Sequence, residues 1–351
     1  MGERSGEKNG LLDWLRSLRL PSAARGVAAA ALAPKILPSV LGPQRDLGSE
    51  ELGPYLGGGG DARVRDMSPG LTAHEGEVIE WDRAEEAERT WRWLHALPTG
   101  VEDVWATSDD GTRLAGHVLA CCPDSPRWLV FAHGYHDNWR AGLTYARRYA
   151  DAGFNLLFCD LRAHGASGGD WVGCGWLDRR DLVAWARWVV ARAGEGARVV
   201  LMGISMGAAS CLMATAEKDL PSQVRACVAD SGYSDFWRTA ENVVSTGSLG
   251  TPPVAAHPLL DVARRRLMRA RGGYDLRAAR PVDAIAHARV PVLLLHGEGD
   301  RVVPVEMAHE LAGAGTGHEL HTFPGAGHCC AVFSDPGRYW DVVLGFVGRW
   351  A

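Results

Sequence analysis

Short, largely apolar runs recur along the chain from residue 128 onward and alternate with segments of helical character. A strand that is apolar at nearly every position has to be buried on both faces, as in a parallel sheet covered by helices. The alternation therefore predicts an α/β fold whose ligand chemistry lies at the carboxyl ends of the strands. The predicted strands of this part are 128–132, 155–159, 198–202, 224–229, 290–295 and 319–323.

Helices are predicted between these strands, and an antiparallel hairpin precedes them. The hairpin joins 104–107 to 114–120 through the turn Asp109-Asp110-Gly111. With the hairpin, the sheet has about eight strands, mostly parallel, and helices on both faces. The predicted helices are 139–152, a segment around 182–193, and 208–216, 305–311 and 337–350.

The alternation divides the chain of 351 residues into two parts. We expect residues 101–351 to form the α/β domain, and residues 1–100 to form a loop-rich extension with short helices, one of them at 82–94. Within the domain, prolines and glycines interrupt the pattern over 231–288. We interpret this segment as a short lid inserted between two strands.

Charge and cysteine content exclude several classes of function. The formal net charge of -5 gives no electrostatic reason to expect a nucleic-acid partner. The eight cysteines fall mostly in apolar runs and show no metal-ligand spacing. We therefore predict buried free thiols, no metal, and a reducing, cytoplasmic location.

The first residues of the chain show no signal peptide and no run long enough to span a bilayer. Four leucines at helical spacing predict an amphipathic helix near residues 11–18. We expect it to pack on the protein body, although contact with a membrane surface is the alternative.

The stretch Gly203-Ile204-Ser205-Met206-Gly207 lies between a predicted strand and a predicted helix. A serine on such a tight turn stands clear of the sheet, and glycine on each side lets neighbouring backbone approach closely. The helix that follows directs free N–H groups at the same point, where they would stabilise a developing oxyanion. The stretch predicts a nucleophilic serine, Ser205.

A nucleophilic serine needs a base and an acid that orients the base. His328 follows the last predicted strand, and Asp300 follows the strand 290–295. Asp230 also ends a predicted strand, so two residues compete for the role of the acid. The chain order of serine, acid and histidine is the one that α/β folds with this kind of turn use.

These motifs together resemble the α/β hydrolase superfamily, and specifically its bacterial branch related to serine aminopeptidases and acyl-glycerol lipases. The resemblance covers about residues 104–350. The motifs that carry it occur in the family's order: His133-Gly134, residues 160–169, residues 203–207, residues 296–304 and Gly327-His328.

The resemblance implies a role for each of these residues. Ser205 would be the nucleophile, and His328 would act first as general base and then as general acid. Asp300, whose loop matches the family motif, would fix the tautomer of the histidine. The backbone N–H groups of Tyr135 and Met206 would form the oxyanion hole, and no cofactor would be needed.

Other polar residues of the motifs are expected to have structural roles. We expect His133 to shape the oxyanion loop, His164 to stabilise a turn, and His296 to be an interior histidine with a satisfied hydrogen bond. Asp160 and Arg162 are expected to belong to the hydrogen-bond network of the same turn, and binding of substrate is the alternative.

The predicted function is hydrolysis of a carboxylic ester, or a related thioester or amide, of a small-molecule acyl substrate. Two alternatives stay open. One is a serine peptidase with the same three residues. The other is a ligand-binding protein of this fold that has no catalytic activity, because fold alone does not decide function.

Overall fold

The computed structural model describes residues 41–44, 85–86, 88–246 and 253–351. In these residues eight strands form one sheet. Their bounds are β1 Glu102–Thr107, β2 Arg113–Leu119, β3 Arg127–Ala132, β4 Asn155–Cys159, β5 Arg198–Ile204, β6 Val224–Asp230, β7 Val292–Gly297 and β8 His318–Phe323.

The strands lie in the order β1-β2-β4-β3-β5-β6-β7-β8. The hairpin strands β1 and β2 pair antiparallel with each other, and β2 pairs antiparallel with β4. All the other pairings are parallel. The carboxyl ends of β3 to β8 therefore meet along one edge of the sheet, where loops can bring together residues that are remote in sequence.

Helices connect the parallel strands. Their bounds are α1 Leu143–Asp151, α2 Asp178–Ala193, α3 Met206–Ala214, α4 Phe236–Thr246, α5 Pro253–Arg269, α6 Pro281–Ile285, α7 Glu306–Gly313, α8 Ala331–Ser334 and α9 Pro336–Trp350. Two short 3₁₀ helices span Trp139–Gly142 and Leu276–Ala278.

The core consists of two clusters, one on each face of the sheet, and successive side chains of the central strands belong to them in turn. Val199 and Leu201 of β5 belong to one buried cluster, which α2, α3 and α7 cover. Val200 and Met202 belong to the other, which α1 and α9 cover. Both faces of the strand are apolar because both are buried, and this confirms the predicted sheet with helices on both faces.

The strand boundaries differ from the predicted ones by a few residues. The strand predicted at 290–295 begins at Val292 and continues to Gly297. Pro291 has no N–H group to donate to a neighbouring strand, although its carbonyl accepts the N–H of Cys227 at 3.0 Å. Similarly, β5 extends to Ile204 and reaches the residue before Ser205.

Part of the predicted lid packs on the body of the domain. The segment between β6 and β7 contains α4, α5 and α6, of which α4 packs on α5. The last helix of the three, α6, packs on α3 and α7. The function of α4 and α5 as a lid stays a prediction.

Three pieces of the N-terminal hundred residues are described: 41–44, 85–86 and 88–100. Leu41 is buried, and the N–H of Gln44 donates to the carbonyl of Ala163 at 2.5 Å, so residues 41–44 pack on the loop after β4. Residues 88–96 are helical, as predicted. The amphipathic helix predicted near 11–18 lies outside the described residues. Among the described helices, none is both long and apolar enough to cross a membrane.

Candidate active site

Ser205 lies at the turn between β5 and α3. Its backbone has φ +52° and ψ -116°, a conformation that costs a non-glycine residue on the order of 1–3 kcal/mol. The N–H of Ser205 donates to the carbonyl of Asp230 at 2.8 Å, which ties the strained residue to the end of the adjacent strand β6. The turn raises the hydroxyl above the carboxyl edge of the sheet.

The flanking glycines are required because the backbone passes very close to them. A Cβ on Gly207 would lie 2.1 Å from the carbonyl oxygen of Ala132, and a Cβ on Gly203 would lie 2.3 Å from the carbonyl carbon of Gly207. Both distances are well below van der Waals contact, and the obstructing atoms are backbone atoms. Any side chain at either position would displace the turn that presents Ser205.

The side chains of Ser205, His328 and Asp300 form a continuous chain of hydrogen bonds. Nε2 of His328 is 2.8 Å from Oγ of Ser205, and Nδ1 of His328 is 2.7 Å from Oδ2 of Asp300. An ionised carboxylate can only accept, so Nδ1 of His328 carries the proton. In the neutral imidazole, Nε2 is then free to accept the proton of the serine hydroxyl.

Asp300 is held ionised by its neighbours. Burial alone would raise the pKa of this carboxyl, but the charge of His328 and hydrogen bonds from His296 and His328 lower it to about 2. The N–H groups of Val302 and Val303 also donate to Oδ1, at 2.9 and 2.8 Å. The carboxylate therefore presents Oδ2 to His328 in a fixed orientation.

The pKa of His328 lies well above the usual value of 6.5. Burial acts to lower it, while the Asp300 carboxylate, which is hydrogen-bonded to Nδ1, raises it. Burial also raises the pKa of the Cys329 thiol, which is therefore uncharged at neutral pH. The Asp300 carboxylate is the negative charge that stabilises the imidazolium form of His328.

Asp230, the competing acid of the sequence analysis, has different partners. It is fully buried and accepts hydrogen bonds from the hydroxyls of Ser231 and Tyr339, at 2.9 and 2.8 Å. Burial raises its pKa. Of the two carboxyls, Asp300 is the one hydrogen-bonded to the imidazole of His328.

The loop after β3 passes beside the serine. A Cβ placed on Gly134 would lie 3.5 Å from the Cβ of Ser205, so the backbone of Gly134 passes beside the side chain of Ser205. Met206 is the first residue of α3, where backbone N–H groups have no partner within the helix. Tyr135 follows Gly134 and Met206 follows Ser205 in the chain, and their N–H groups stay the predicted oxyanion donors.

His133 makes two hydrogen bonds that fix this loop. Its Nε2 accepts the N–H of Leu161 at 3.0 Å, so its Nδ1 carries the proton and donates to the carbonyl of Gly134 at 2.7 Å. A trans peptide directs its carbonyl and its N–H in opposite directions. By holding the Gly134 carbonyl, His133 therefore sets the direction of the Tyr135 N–H.

The side chains of Asp160 and Arg162 tie the turn after β4 to its surroundings. Asp160 accepts the N–H groups of Trp139 and Ala166, at 3.0 and 2.8 Å. Arg162 is buried and forms an ion pair through two hydrogen bonds with Asp181 of α2, at 2.6 and 2.7 Å. These contacts anchor the loop on the body of the domain.

No group of three or more His, Cys, Asp or Glu side chains in the described part of the chain is arranged to bind a metal. All eight cysteines are free; Cys121, Cys122 and Cys329 are half-buried, and the other five are buried.

Sequence reasoning missed two residues that border the site, Ser231 and Tyr339, and one contact of a third, His296. His296 was predicted as an interior histidine, and its Nε2 does donate to the carbonyl of Val303 at 2.8 Å. The same nitrogen also lies 3.3 Å from Oδ2 of Asp300. Ser231 and Tyr339 were not singled out; only the position of Ser231 directly after a strand could have indicated it.

The alpha/beta hydrolase family model matches residues 129–342 of this chain. Among curated proteins, the uncharacterized protein YqkD of Bacillus subtilis is 27% identical over 188 residues, 54% of this chain and 60% of that protein. Human protein ABHD12B is 28% identical over 230 residues, 62% of this chain and 60% of that protein. The chain thus spans about 60% of the length of these two relatives.

Solved structures share the fold at low sequence identity. An esterase of Pyrococcus furiosus superposes with a TM-score of 0.57 at 23% identity, over 71% of this chain and 91% of its own. A puromycin-hydrolyzing peptidase of Mycobacterium tuberculosis gives a TM-score of 0.53 at 19% identity, over 71% of this chain and 39% of its own. An esterase and a peptidase thus both share this fold.

Proposed function

This chain belongs to the alpha/beta hydrolase family, and we propose that it is a serine hydrolase that cleaves a carboxylic ester, or a related thioester or amide, through an acyl-enzyme on Ser205. The observation that carries the proposal is the continuous hydrogen-bond chain from Ser205 through His328 to Asp300. Nucleophile, base and orienting acid are all within hydrogen-bond reach, which is the arrangement that nucleophilic catalysis by serine requires.

In the first step, Oγ of Ser205 attacks the carbonyl carbon of the substrate while Nε2 of His328 takes the hydroxyl proton. The carbonyl oxygen becomes an oxyanion, and the backbone N–H groups of Tyr135 and Met206 stabilise it. His328 then donates its proton to the leaving alcohol or amine. Asp300 stabilises the imidazolium during this step and holds its orientation.

In the second step, water attacks the acyl-enzyme. His328 accepts a proton from the water, the carbonyl oxygen again becomes an oxyanion, and Ser205 leaves with the proton returned from Nε2. The free acid is released and the three side chains return to their starting protonation states. Apart from the acyl substrate, this cycle consumes only water, so it needs no cofactor.

A panel of substrates that differ only in the leaving group tests this proposal. Nitrophenyl esters and nitroanilides of the same acyl groups are compared by kcat/KM. We expect the esters to be cleaved faster and to give an initial burst of nitrophenol if deacylation is slow. Faster cleavage of aminoacyl anilides would make the protein a peptidase, and no turnover of either series would favour a ligand-binding role.

The pH dependence of the reaction follows from the raised pKa of His328. The base has to be neutral, so activity falls as pH decreases through the pKa of this group. Because that pKa lies well above 6.5, we expect kcat/KM to keep rising above pH 6.5. An acid limb centred at or below pH 6.5, measured on an ester substrate, would contradict the charge assignment at the site.

Removal of the His133 side chain is expected to weaken the oxyanion hole. In His133→Ala, nothing holds the carbonyl of Gly134, so the Tyr135 N–H loses its fixed direction. Loss of one oxyanion donor costs about 10²-fold to 10³-fold in kcat, and we expect a loss of up to this size with little change in KM.

The conservative variant His133→Asn serves as the control, because its amide can replace one of the two hydrogen bonds. It is expected to fall between the natural protein and His133→Ala in kcat. If His133→Ala keeps its full kcat while remaining folded, His133 does not set the oxyanion loop.

A further inference from the structure

The dipeptide Asp230-Ser231, at the end of β6, contacts all three chain segments that carry the candidate catalytic side chains. The carbonyl of Asp230 accepts the N–H of Ser205 at 2.8 Å. The N–H of Ser231 donates to the carbonyl of Leu295 at 2.9 Å, on the strand that leads into the Asp300 loop. Oγ of Ser231 accepts the N–H of Cys329, the residue after His328, at 3.0 Å.

The side chains of the dipeptide are themselves fixed by hydrogen bonds. A backbone N–H can only donate, so Oγ of Ser231 accepts from Cys329 and directs its own proton to Oδ1 of Asp230, at 2.9 Å. Oδ2 of Asp230 accepts the hydroxyl proton of Tyr339 on α9, at 2.8 Å. Asp230, Ser231 and Tyr339 are fully buried, so no water competes for these bonds.

The backbone on both sides of the Ser231–Cys329 contact is strained. Ser231 has φ +56° and Cys329 has φ +55°, in the left-handed region that non-glycine residues rarely adopt. Such conformations persist only where surrounding contacts hold them. The hydrogen bond between these two residues is a contact that can hold both, and the second of them adjoins the histidine.

From these contacts we propose that Asp230-Ser231 is a positioning element that sets the imidazole of His328 against Ser205 and Asp300. Ser231 acts through the backbone of Cys329 and does not touch the substrate. Asp230 and Tyr339 act one step further away, by holding the hydroxyl of Ser231. The catalytic consequence rests on the proposed function, whereas the effect on the position of His328 does not.

The first variant to test is Ser231→Ala, which removes the acceptor of the Cys329 N–H. A catalytic group displaced by about 1 Å costs on the order of 10²-fold in rate, and we expect kcat to fall by 10-fold to 10²-fold by the same reasoning. KM should be nearly unchanged, because the substrate does not contact Ser231. Rates are measured per active site, so that a change in the folded fraction does not enter.

The second variant, Tyr339→Phe, has a matched control in Tyr149→Phe. Both tyrosines are fully buried in the same core cluster and contact the ring of Trp340. The hydroxyl of Tyr339 donates to Asp230, whereas that of Tyr149 has no hydrogen-bond partner among the residues that the structure describes. We expect a decrease of kcat in Tyr339→Phe that is smaller than in Ser231→Ala, and none in Tyr149→Phe.

A readout without substrate separates this proposal from the proposed function. The groups that face His328 are Ser205, Asp300, Cys329 and, through the buried interior, Asp230. The pKa of His328 is measured by NMR of protein labelled with ¹⁵N-histidine, with His328→Gln for assignment. In Ser231→Ala the imidazole moves away from Asp300, so its pKa is expected to decrease toward 6.5.

The possible outcomes each decide the question. A decrease in the pKa of His328 in Ser231→Ala or Tyr339→Phe, without one in Tyr149→Phe, supports the positioning element even if no substrate is hydrolysed. Unchanged kcat and unchanged pKa in folded Ser231→Ala overturn it. If Ser231→Ala does not fold, Tyr339→Phe decides, and its equality with Tyr149→Phe in both readouts overturns the proposal.

Discussion

Replacement of Ser205 by alanine is expected to remove nearly all ester hydrolysis. Removal of the nucleophile from a serine hydrolase of this kind lowers kcat on the order of 10⁶-fold. Alanine keeps the Cβ and the same strained backbone, and the N–H that donates to Asp230 is retained. The fold should therefore be unchanged. Initial rates of ester hydrolysis and the thermal unfolding midpoint measure the two effects separately.

The matched control is Ser222→Ala, an exposed serine two residues before β6 and so at the opposite edge of the sheet. It should keep full activity, because it lies far from the carboxyl ends of the strands. If Ser205→Ala kept a tenth or more of the natural activity, another group would have to be the nucleophile.

The second large effect is expected for Asp300→Asn. The amide would offer an N–H group or a weaker acceptor to Nδ1 of His328, so the imidazole would adopt the wrong tautomer and lose the charge that stabilises its protonated form. Loss of the acid in such an arrangement lowers kcat by about 10⁴-fold while the geometry stays intact. Steady-state kinetics on the purified, folded variant measure this loss.

Asp230→Asn provides the comparison that separates the two acids. The hydrogen bonds that connect Asp230 to His328 run through Ser231 and Cys329, so the loss of kcat should be much smaller than in Asp300→Asn. A larger loss in Asp230→Asn than in Asp300→Asn would assign the role of the acid to Asp230.

Much of the fold can be predicted from local sequence, because a strand that is buried on both faces is apolar at nearly every position. The run around Val199–Leu201 is apolar at every position, and the structure divides its side chains between the two core clusters. The ends of a strand are harder to predict from sequence, since they depend on whether an adjacent strand pairs with its terminal residues. Val292, rather than Val290, thus begins its strand.

The candidate site was predictable to the extent that its residues follow strand ends. Ser205, Asp300 and His328 are each at the carboxyl edge, and parallel strands bring that edge together. The order of the residues along the chain does not decide between Asp230 and Asp300 as the acid, because both follow a predicted strand and lie between Ser205 and His328. The choice depends on the path of the two loops, and only the structure gives the 2.7 Å contact of Asp300 with His328.

The contacts of Asp230-Ser231 were beyond sequence analysis for a similar reason. Ser231 and Cys329 are 98 residues apart, and Asp230 and Tyr339 are 109 residues apart. No periodicity or spacing relates such positions. The positive φ values of Ser231 and Cys329 are likewise invisible in a sequence that has no glycine at either position.

The most direct test of the central claim is covalent labelling with a fluorophosphonate, followed by location of the adduct by peptide mass. This probe reacts with a serine whose hydroxyl is activated by a base and faces an oxyanion hole. We predict a single adduct on Ser205 in the natural protein and none in Ser205→Ala. An adduct on another residue, or folded natural protein that takes no label, would contradict the assignment of Ser205 as the nucleophile.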